Sequence, residues 1–248
     1  MQRVELRAVP GIPMVKAGDD LARLIGARLT GEFALRAGDV LAIAQKIVSK
    51  AEGRTVELAA VTPSAKAVAL AAEVQKDPRL VELILSESVR VVRSRPNVLI
   101  VEHRLGWIMA NAGIDQSNVA PQDGVERALL LPRNPDASAE ALRAKLGATS
   151  VLIIDSFGRP WRKGTTGVAI GAAGLPAMLD LRGQPDLFGR TLQVTISAFA
   201  DEIAAAASLV MGQAAEAQPV VLVRGLDWKA PATAAAELIR SPEEDLFR

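Results

Sequence analysis

The sequence predicts an α+β fold with mixed sheets and flanking helices. Three observations point there. Apolar runs such as Val40-Leu41-Ala42-Ile43-Ala44, Val151-Leu152-Ile153-Ile154 and Pro219 to Arg224 read as buried strands. Segments with apolar residues at helical spacing fall between the strands, but without the regular rhythm of a βαβ protein. A chain of 248 residues can bury a sizeable core, as one large domain or two small ones.

Composition removes whole classes of function. The charges nearly cancel, 29 Lys+Arg against 28 Asp+Glu, which argues against a nucleic-acid scaffold or a polybasic membrane binder. With no cysteine there are no disulfides, no thiolate catalysis and no Cys-based zinc site. One histidine, His103, rules out a multi-His metal site. The first residues carry charges throughout and no apolar core, so they do not read as a signal peptide. No apolar run reaches the roughly 18 residues of a spanning helix. The expectation is a soluble cytoplasmic protein with neither nucleic acid nor membrane as a partner.

Taken in order, Gln2 to Val9 alternates, with Val4, Leu6 and Ala8 on one side, and reads as a strand. Gly11-Ile12-Pro13-Met14 is a tight loop, because Pro13 has no amide to donate and Gly11 lets the chain turn. Asp19 or Asp20 caps a helix with Leu21, Leu24, Ile25 and Leu29 on one face. Gly38-Asp39 turns into the Val40 to Ala44 strand, which runs into Gln45-Lys46-Ile47-Val48-Ser49-Lys50. Lys46 and Lys50 share a side whether this segment is helical or extended. Two ammonium groups therefore lie close together after a strand end, as a solvated strand-to-helix junction or as a phosphate clamp.

Ser64 to Val74 and Leu80 to Ser88 read as helices, and Val89 to Arg95 alternates between Val and Arg. Val98 to Val101 is a strand that leads through Glu102 to Trp107 into a hairpin with Ile108 to Ala110; His103 reads there as an ordinary polar strand residue. Asn111 to Val119 concentrates side-chain oxygens. Local turn and cap chemistry accounts for them, or Asp115 meets a second carboxylate, Asp155, around a hard cation. Arg127 to Leu131 is a short strand, and Ser138 caps a helix through Leu146.

Val151 to Ile154 then meets Asp155 and Ser156, where the strand is expected to stop. Gly158, Pro160 and Gly164 predict a loop carrying Arg159, Arg162 and Lys163. A carboxylate at the end of a buried strand, facing a basic Gly-rich loop, can hold a divalent cation beside phosphates. Gly164 to Gly174 is too poor in bulk for a normal strand or helix, and its spacing permits close approach to a ligand or another chain. It contains neither a P-loop nor a dinucleotide fingerprint. Asp186 and Arg190 are neighbours if their segment is helical, and Thr191 to Ser197 reads as a strand. Phe199 to Met211 is an Ala-rich helix with Asp201 and Glu202 at its start, where the dipole favours acids. Residues 226–248 read as an acidic tail or linker.

Together the motifs resemble the coenzyme F420 γ-glutamyl ligase family. They are Gly11 to Met14, Gln45 to Arg54, Lys76 to Glu82, Val101 to Arg104, Asn111 to Val119, Asp155 to Gly164, Ala200 to Ala207, Met211 to Gln213 and Val223 to Gly225. The resemblance implies one γ-glutamyl ligase region over residues 1–248, with two interleaved subdomains as a way to build it, in an intertwined homodimer. It also implies a GTP-dependent ligase that adds L-glutamate to the terminal carboxylate of the coenzyme F420 precursor. Two divalent ions, Mg2+ or Mn2+, are implied, with K+ as a further candidate. Asp115 and Asp155 would hold one divalent ion, Ser156 and Gln213 the other. Ser156 stands where some members have Thr. Gln213 stands where members often have Glu, which removes a charge from the second site. The nucleotide would touch Ile12, Pro13, Met14, Val15, Gln45, Lys46, Lys50 and Asn118. It would also touch the loop Met211, Gly212, Gln213, Ala214, Ala215, Glu216, Ala217 and Gln218. Lys46 and Lys50 would be the catalytic cations on the transferring phosphoryl group. Arg159, Arg162 and Lys163 are the candidates for anchoring the coenzyme phosphate or the glutamate carboxylates. Two other readings stay open: a related metal-dependent amide ligase with another acid acceptor, and a non-catalytic nucleotide-binding module.

Overall fold

A computed structural model describes residues 3–119 and 123–246; Gln2, expected at the start of the first strand, lies outside the described residues. In chain order the elements are β1 (Glu5–Ala8), α1 (Leu21–Gly26), β2 (Val40–Ala44), α2 (Gln45–Ala51), β3 (Thr55–Glu57), α3 (Ala65–Val74) and α4 (Pro78–Ser86). Then come β4 (Ser88–Arg95), β5 (Val98–His103), β6 (Ile108–Ala110), β7 (Arg127–Leu129), α5 (Pro135–Leu146), β8 (Ser150–Arg159) and β9 (Arg162–Ala173). The chain closes with β10 (Leu179–Asp180), β11 (Ile196–Ser197), α6 (Phe199–Met211) and β12 (Val220–Arg224). The architecture is α+β, as the uneven rhythm of the sequence predicts. Among the described residues no helix is long and apolar enough to cross a membrane.

The main sheet has the order β1-β12-β2-β8-β9. Only β2 and β8 are parallel, with Leu41 opposite Val151 and Ala44 opposite Ile154; the other pairs are antiparallel. Both faces of the central strands are covered, which explains why they read as continuous apolar runs rather than alternating ones. On one face Leu41, Ile43, Val151 and Ile153 pack with Ile25, Ile47 and Leu142 of the helices α1, α2 and α5. On the other, Val40, Ala42, Leu152 and Ile154 pack with Ile203, Ala204 and Ala207 of α6. A third core, around Leu58, Val81, Ile84, Leu99 and Leu130, holds α3, α4 and the strands β4 and β5. Arg54 ties that unit to the end of α2. It donates to the Leu131 carbonyl and to Glu87, which also accepts from Arg104. His103 is fully buried beside this cluster, and its Nδ1 accepts from the Leu105 amide.

Several sequence expectations give way to tertiary structure. The Gly/Ala-rich run after Gly164 is strand: β9 spans it and pairs with β8 along its length. Its missing bulk makes room for the protein's own helices. A Cβ on Gly167 would lie 2.3 Å from the Ala204 carbonyl of α6, and one on Gly171 would lie 2.4 Å from the Pro135 carbonyl of α5. A register shift between the pairs Ile153/Gly171 and Ile154/Ala169 lets the glycine-rich strand serve helices on both faces. The free edge of β9 is closed by side chains: Asp201 accepts from the Ala169 amide and Asp136 from the Ala172 amide. Asp201 is therefore more than a dipole residue.

α5 begins at Pro135 with Asn134 as its cap, not at Ser138, because Pro is well suited to the first helical position. Residues 180–196 are not helical: backbone bonds from Leu181 to Thr195, Gly183 to Leu192 and Asp186 to Arg190 build an antiparallel arm. Within it only Ile196–Ser197 of the expected Thr191 to Ser197 strand is assigned as strand. Beyond Gly225 the chain stays docked for some distance, with Ala235 buried and Trp228 against Phe199. Asp136 accepts from the Ala235 amide, fixing that segment to α5.

Because the atoms that crowd Gly171 are backbone, they cannot step aside. Gly171→Ala is expected to lower the unfolding free energy by about 2–4 kcal/mol. Gly158→Ala, which would meet nothing within 4 Å, serves as the control and should cost less than about 1 kcal/mol. Urea denaturation of the two variants compares them directly, and equal losses would refute the close-packing role of Gly171.

Candidate functional site

The site begins where the parallel pair ends. β2 stays hydrogen-bonded to β8 as far as Ala44 and Ile154, and at Gln45 the chain turns into α2. The sequence-predicted end of β8 at Asp155 is corrected here. The strand continues to Arg159, but from Asp155 onward it pairs with β9 alone. Asp155 and Ser156 therefore sit at the carboxyl end of the parallel strands, beside the first turn of α2. Ligands gather at this position in parallel sheets.

α2 places Gln45, Lys46 and Lys50 over that strand end. Gln45 is buried and accepts from Ser49 Oγ, leaving its amide to hydrogen-bond Asp155. Lys46 reaches the Asn111 to Asn118 loop, with Nζ 2.6 Å from Asp115 Oδ2 and 2.8 Å from Ser117 Oγ. Lys50 Nζ donates to the Asn118 carbonyl at 2.6 Å. Asp115 is held from behind by a two-way backbone bridge with Leu129, with its carboxylate on Lys46. Asn118, at φ 56°, donates its amide to the Ala214 carbonyl and links this loop to the segment after α6. The adjoining wall, Asn111, Ala112 and Gly113, lies wholly in the left-handed region, at φ 54°, 53° and 67°. Such backbone persists only where its surroundings enforce it. Here a Cβ on Gly113 would press against Leu131 and Met109 at 2.8 Å.

The charges are tuned against each other. Burial pushes the Asp155 carboxyl up to about 6, and the nearby Asp115 charge adds to this. The Ser156 amide, Lys46 and Gln45 only partly oppose the rise. For Asp115, burial raises the pKa, but the bonds from Lys46 and Ser117 outweigh it and leave it below the usual value. Burial lowers the Lys50 pKa, and the Lys46 charge lowers it further.

These groups line one cavity of about 670 Å³. Ile12, Pro13, Met14 and Val15 form one lip, and the loop from Met211 to Gln218 forms another. Gln45, Lys46, Lys50, Asp115, Asn118, Asp155 and Ser156 lie between them. Within the second lip Glu216 accepts from the Ala214 amide and folds over Gly212. Arg159, Arg162 and Lys163 are not among the lining residues. The expected loop that carried them is the tip of the β8–β9 hairpin, where Arg159 stands opposite Arg162. Ser117, Phe157, Thr165 and Ser208 line the cavity without having been singled out as site residues. For Ser117 a local signal existed: Asp115 accepts from both the amide and the hydroxyl of the residue two positions on.

Among the described residues no three His, Cys, Asp or Glu side chains converge as a metal cage. The donors still suit a hard divalent ion bound together with a phosphorylated ligand. Mg2+ is commonly held by one or two carboxylates, with water and phosphate oxygens completing the shell. Asp115 and Asp155 supply the two carboxylates, and Lys46 already sits as a cation among the same oxygens. Ser156 and Gln213 line the same cavity and offer only neutral oxygens to a second ion.

Residues 11–225 match a family model described as F420-0:Gamma-glutamyl ligase. The chain is 47% identical over 253 residues to the coenzyme F420:L-glutamate ligase of Methanothermobacter thermautotrophicus, covering 99% of each chain. It is 46% identical to the protein of that name from Methanopyrus kandleri, covering 99% of this chain and 98% of the relative. The protein of the same name from Archaeoglobus fulgidus is 43% identical, with 99% and 97% covered.

The raised Asp155 carboxyl has a consequence for stability. Since the folded state binds this proton more tightly than the unfolded chain, stability is full below about pH 4 and falls as pH rises toward about 6. Asp155→Asn removes that loss. It is expected to stabilise the protein by up to about 3 kcal/mol near neutral pH and to flatten the pH slope between about 4 and 6. Urea melts across that pH range check this, and an unchanged slope in the variant would assign the titration to another group.

Proposed function

Because the chain belongs to the F420-0:gamma-glutamyl ligase family, we propose that it joins the amine of L-glutamate to the terminal carboxylate of the coenzyme F420 precursor, at the expense of GTP. The observation that carries this reading is the convergence of Lys46, Lys50, Asp115 and Asp155 on one cavity at the end of the parallel strands. Two cations and two carboxylates in one wall suit an anionic nucleotide paired with divalent ions. They do not suit a neutral ligand.

The chemistry needs an activated acid, because a carboxylate oxygen is too poor a leaving group for direct attack by an amine. Transfer of the γ-phosphoryl group to the acceptor carboxylate gives an acyl phosphate and GDP. The glutamate amine then attacks the acyl carbon, losing a proton, and phosphate leaves with the C–O bond electrons. Lys46 and Lys50, one turn apart on α2, balance the charge of the transferring phosphoryl group. Asp115 and Asp155 are the residues to hold a Mg2+ or Mn2+ ion, with Ser156 and Gln213 offered to a second. Bound there, such ions neutralise charge between two anionic substrates and polarise the phosphoryl oxygens. The lips at Ile12 to Val15 and Met211 to Gln218 enclose the nucleotide, and Asn118 joins the second lip to the lysine-bearing wall. The left-handed wall from Asn111 to Gly113 keeps Asp115 in register with Lys46.

Purified protein incubated with the F420 precursor, L-glutamate, GTP and Mg2+ or Mn2+ should give a product heavier by one glutamyl residue and an equal amount of GDP. Mass spectrometry and nucleotide chromatography read both. Absence of the mass shift with either ion refutes the ligase reading. GDP formed without a glutamyl product points to another acid acceptor.

We further propose a homodimer. Support comes from the arm formed by residues 179–197, which exposes Leu187 at 98%, Phe188 at 95% and Val194 at 83%, far more apolar surface than an isolated arm needs. Light scattering should give twice the 26.2 kDa chain mass, and Leu187→Asp with Phe188→Asp should halve it. A wild-type monomer sinks this proposal.

A further inference from the structure

The Lys46 ammonium is surrounded in a way unusual for a surface lysine. Three oxygens of one loop face it: Asp115 Oδ2 at 2.6 Å, Ser117 Oγ at 2.8 Å and the Ser117 carbonyl at 3.4 Å. Ser117 Oγ also donates to Asp115 Oδ2, and the Ser117 amide donates to Asp115 Oδ1. Asp155 also feels the charge of the same ammonium. A single positive charge is thus held among hard oxygens, next to both carboxylates. Lys50 is engaged likewise, on the Asn118 carbonyl. Both lysines line the cavity, and both direct their ammonium groups to the loop from Asp115 to Asn118.

We propose that Lys46 is the site's resident counter-ion, which a divalent cation must displace from Asp115 before the lysine can serve a phosphate. This rests on the cation reading given under Proposed function and adds an order of events to it. A divalent ion on Asp115 Oδ2 and an ammonium at 2.6 Å from the same atom repel each other and compete for one set of lone pairs. Occupancy of the two is therefore exclusive. Without nucleotide, the displaced ammonium has lost its anion and must return to solvent, so the empty protein binds divalent ions weakly. With nucleotide present, the released ammonium finds phosphate oxygens. Cation and nucleotide then strengthen each other's binding through Lys46.

The test is Mn2+ binding to the intact protein without nucleotide, followed by loss of the free-ion electron paramagnetic resonance signal. Lys46→Met removes the charge and keeps the side chain's bulk. It is expected to tighten Mn2+ binding at least about tenfold, since two carboxylates then lack their counter-ion. Lys46→Gln, read alongside by thermal melting, repeats the comparison should the Met variant fold poorly. Lys46→Arg keeps the charge and should leave binding weak. A non-hydrolysable GTP analogue should tighten Mn2+ binding to the wild type and lose that effect in Lys46→Met. Equal or weaker nucleotide-free binding in both neutral variants overturns the proposal, as does failure of Mn2+ to bind any variant. Glutamate addition by the wild type, measured separately, reports on the ligase reading, so the two can fail independently.

Discussion

The chain depends on the single parallel pairing in its main sheet. β2 and β8 lie side by side through Ala44 and Ile154, and then their paths separate: one becomes a helix and the other continues as a ribbon with β9. That divergence opens a space at the carboxyl end of two fully buried strands. Gln45, Lys46 and Lys50 enter it from the helix, and Asp155 and Ser156 enter it from the ribbon. Had β2 continued as strand, alternation would have sent Gln45 and Lys46 to opposite faces of the sheet. The helical turn instead carries Gln45 and Lys46 together with Lys50 over the strand end. Burial of Ile43, Ile153 and their neighbours makes the junction rigid, since no strand slip is tolerated when both faces are packed.

The sheet's free edge meets a different constraint. β9 ends the sheet and would expose a row of unpaired amides. Two helices answer this with acids in their first turns: Asp136 of α5 and Asp201 of α6 each accept from a β9 amide. For the acids to reach, the helices must approach closer than any side chain on β9 allows, which is why Gly167 and Gly171 stand where they do. Edge protection, helix placement and glycine content are thus one arrangement. Burial raises the Asp201 pKa, and the bond from the Ala169 amide opposes that rise.

Local patterns in the sequence exposed part of this, and long-range contacts hid the rest. The central strands, the helix starting at Ser64 and the Phe199 to Met211 helix follow from nearest neighbours and appear where expected. The strand β9 does not, because its reason for being poor in bulk lies in α5 and α6. The arm at residues 180–196 misled for a similar cause: its ladder is made by pairing across a turn, while the spacing of Asp186 and Arg190 also suits a helix. At the site, Lys46, Lys50, Asp115 and Asp155 were readable as chemistry, because each interrupts an apolar or turn-forming context. What the sequence could not give is their joint geometry, notably that Lys46 already holds Asp115. Arg159, Arg162 and Lys163 drew notice as a basic cluster; strand continuation puts them at the tip of the β8–β9 hairpin, next to the lining residues Gly158 and Thr165.

Charge balance bears on the form of the site. Two lysines face two aspartates in one wall, and Glu216 adds a further acid on the lip. The imperfection is at Asp155, whose carboxyl is pushed up to about 6 by burial, with the Asp115 charge adding to the rise and Lys46 only partly opposing it. On the proposed function a nucleoside triphosphate would bring about four negative charges to this wall, more than two lysines can match. Divalent ions would restore the balance, with Asp115 and Asp155 as their protein anchor. On that proposal a second ion would depend more on the substrate than the first, because Ser156 and Gln213 add no charge of their own. A neutral Gln213 would then leave the burden of holding that ion to phosphate oxygens and tie its residence to the nucleotide's.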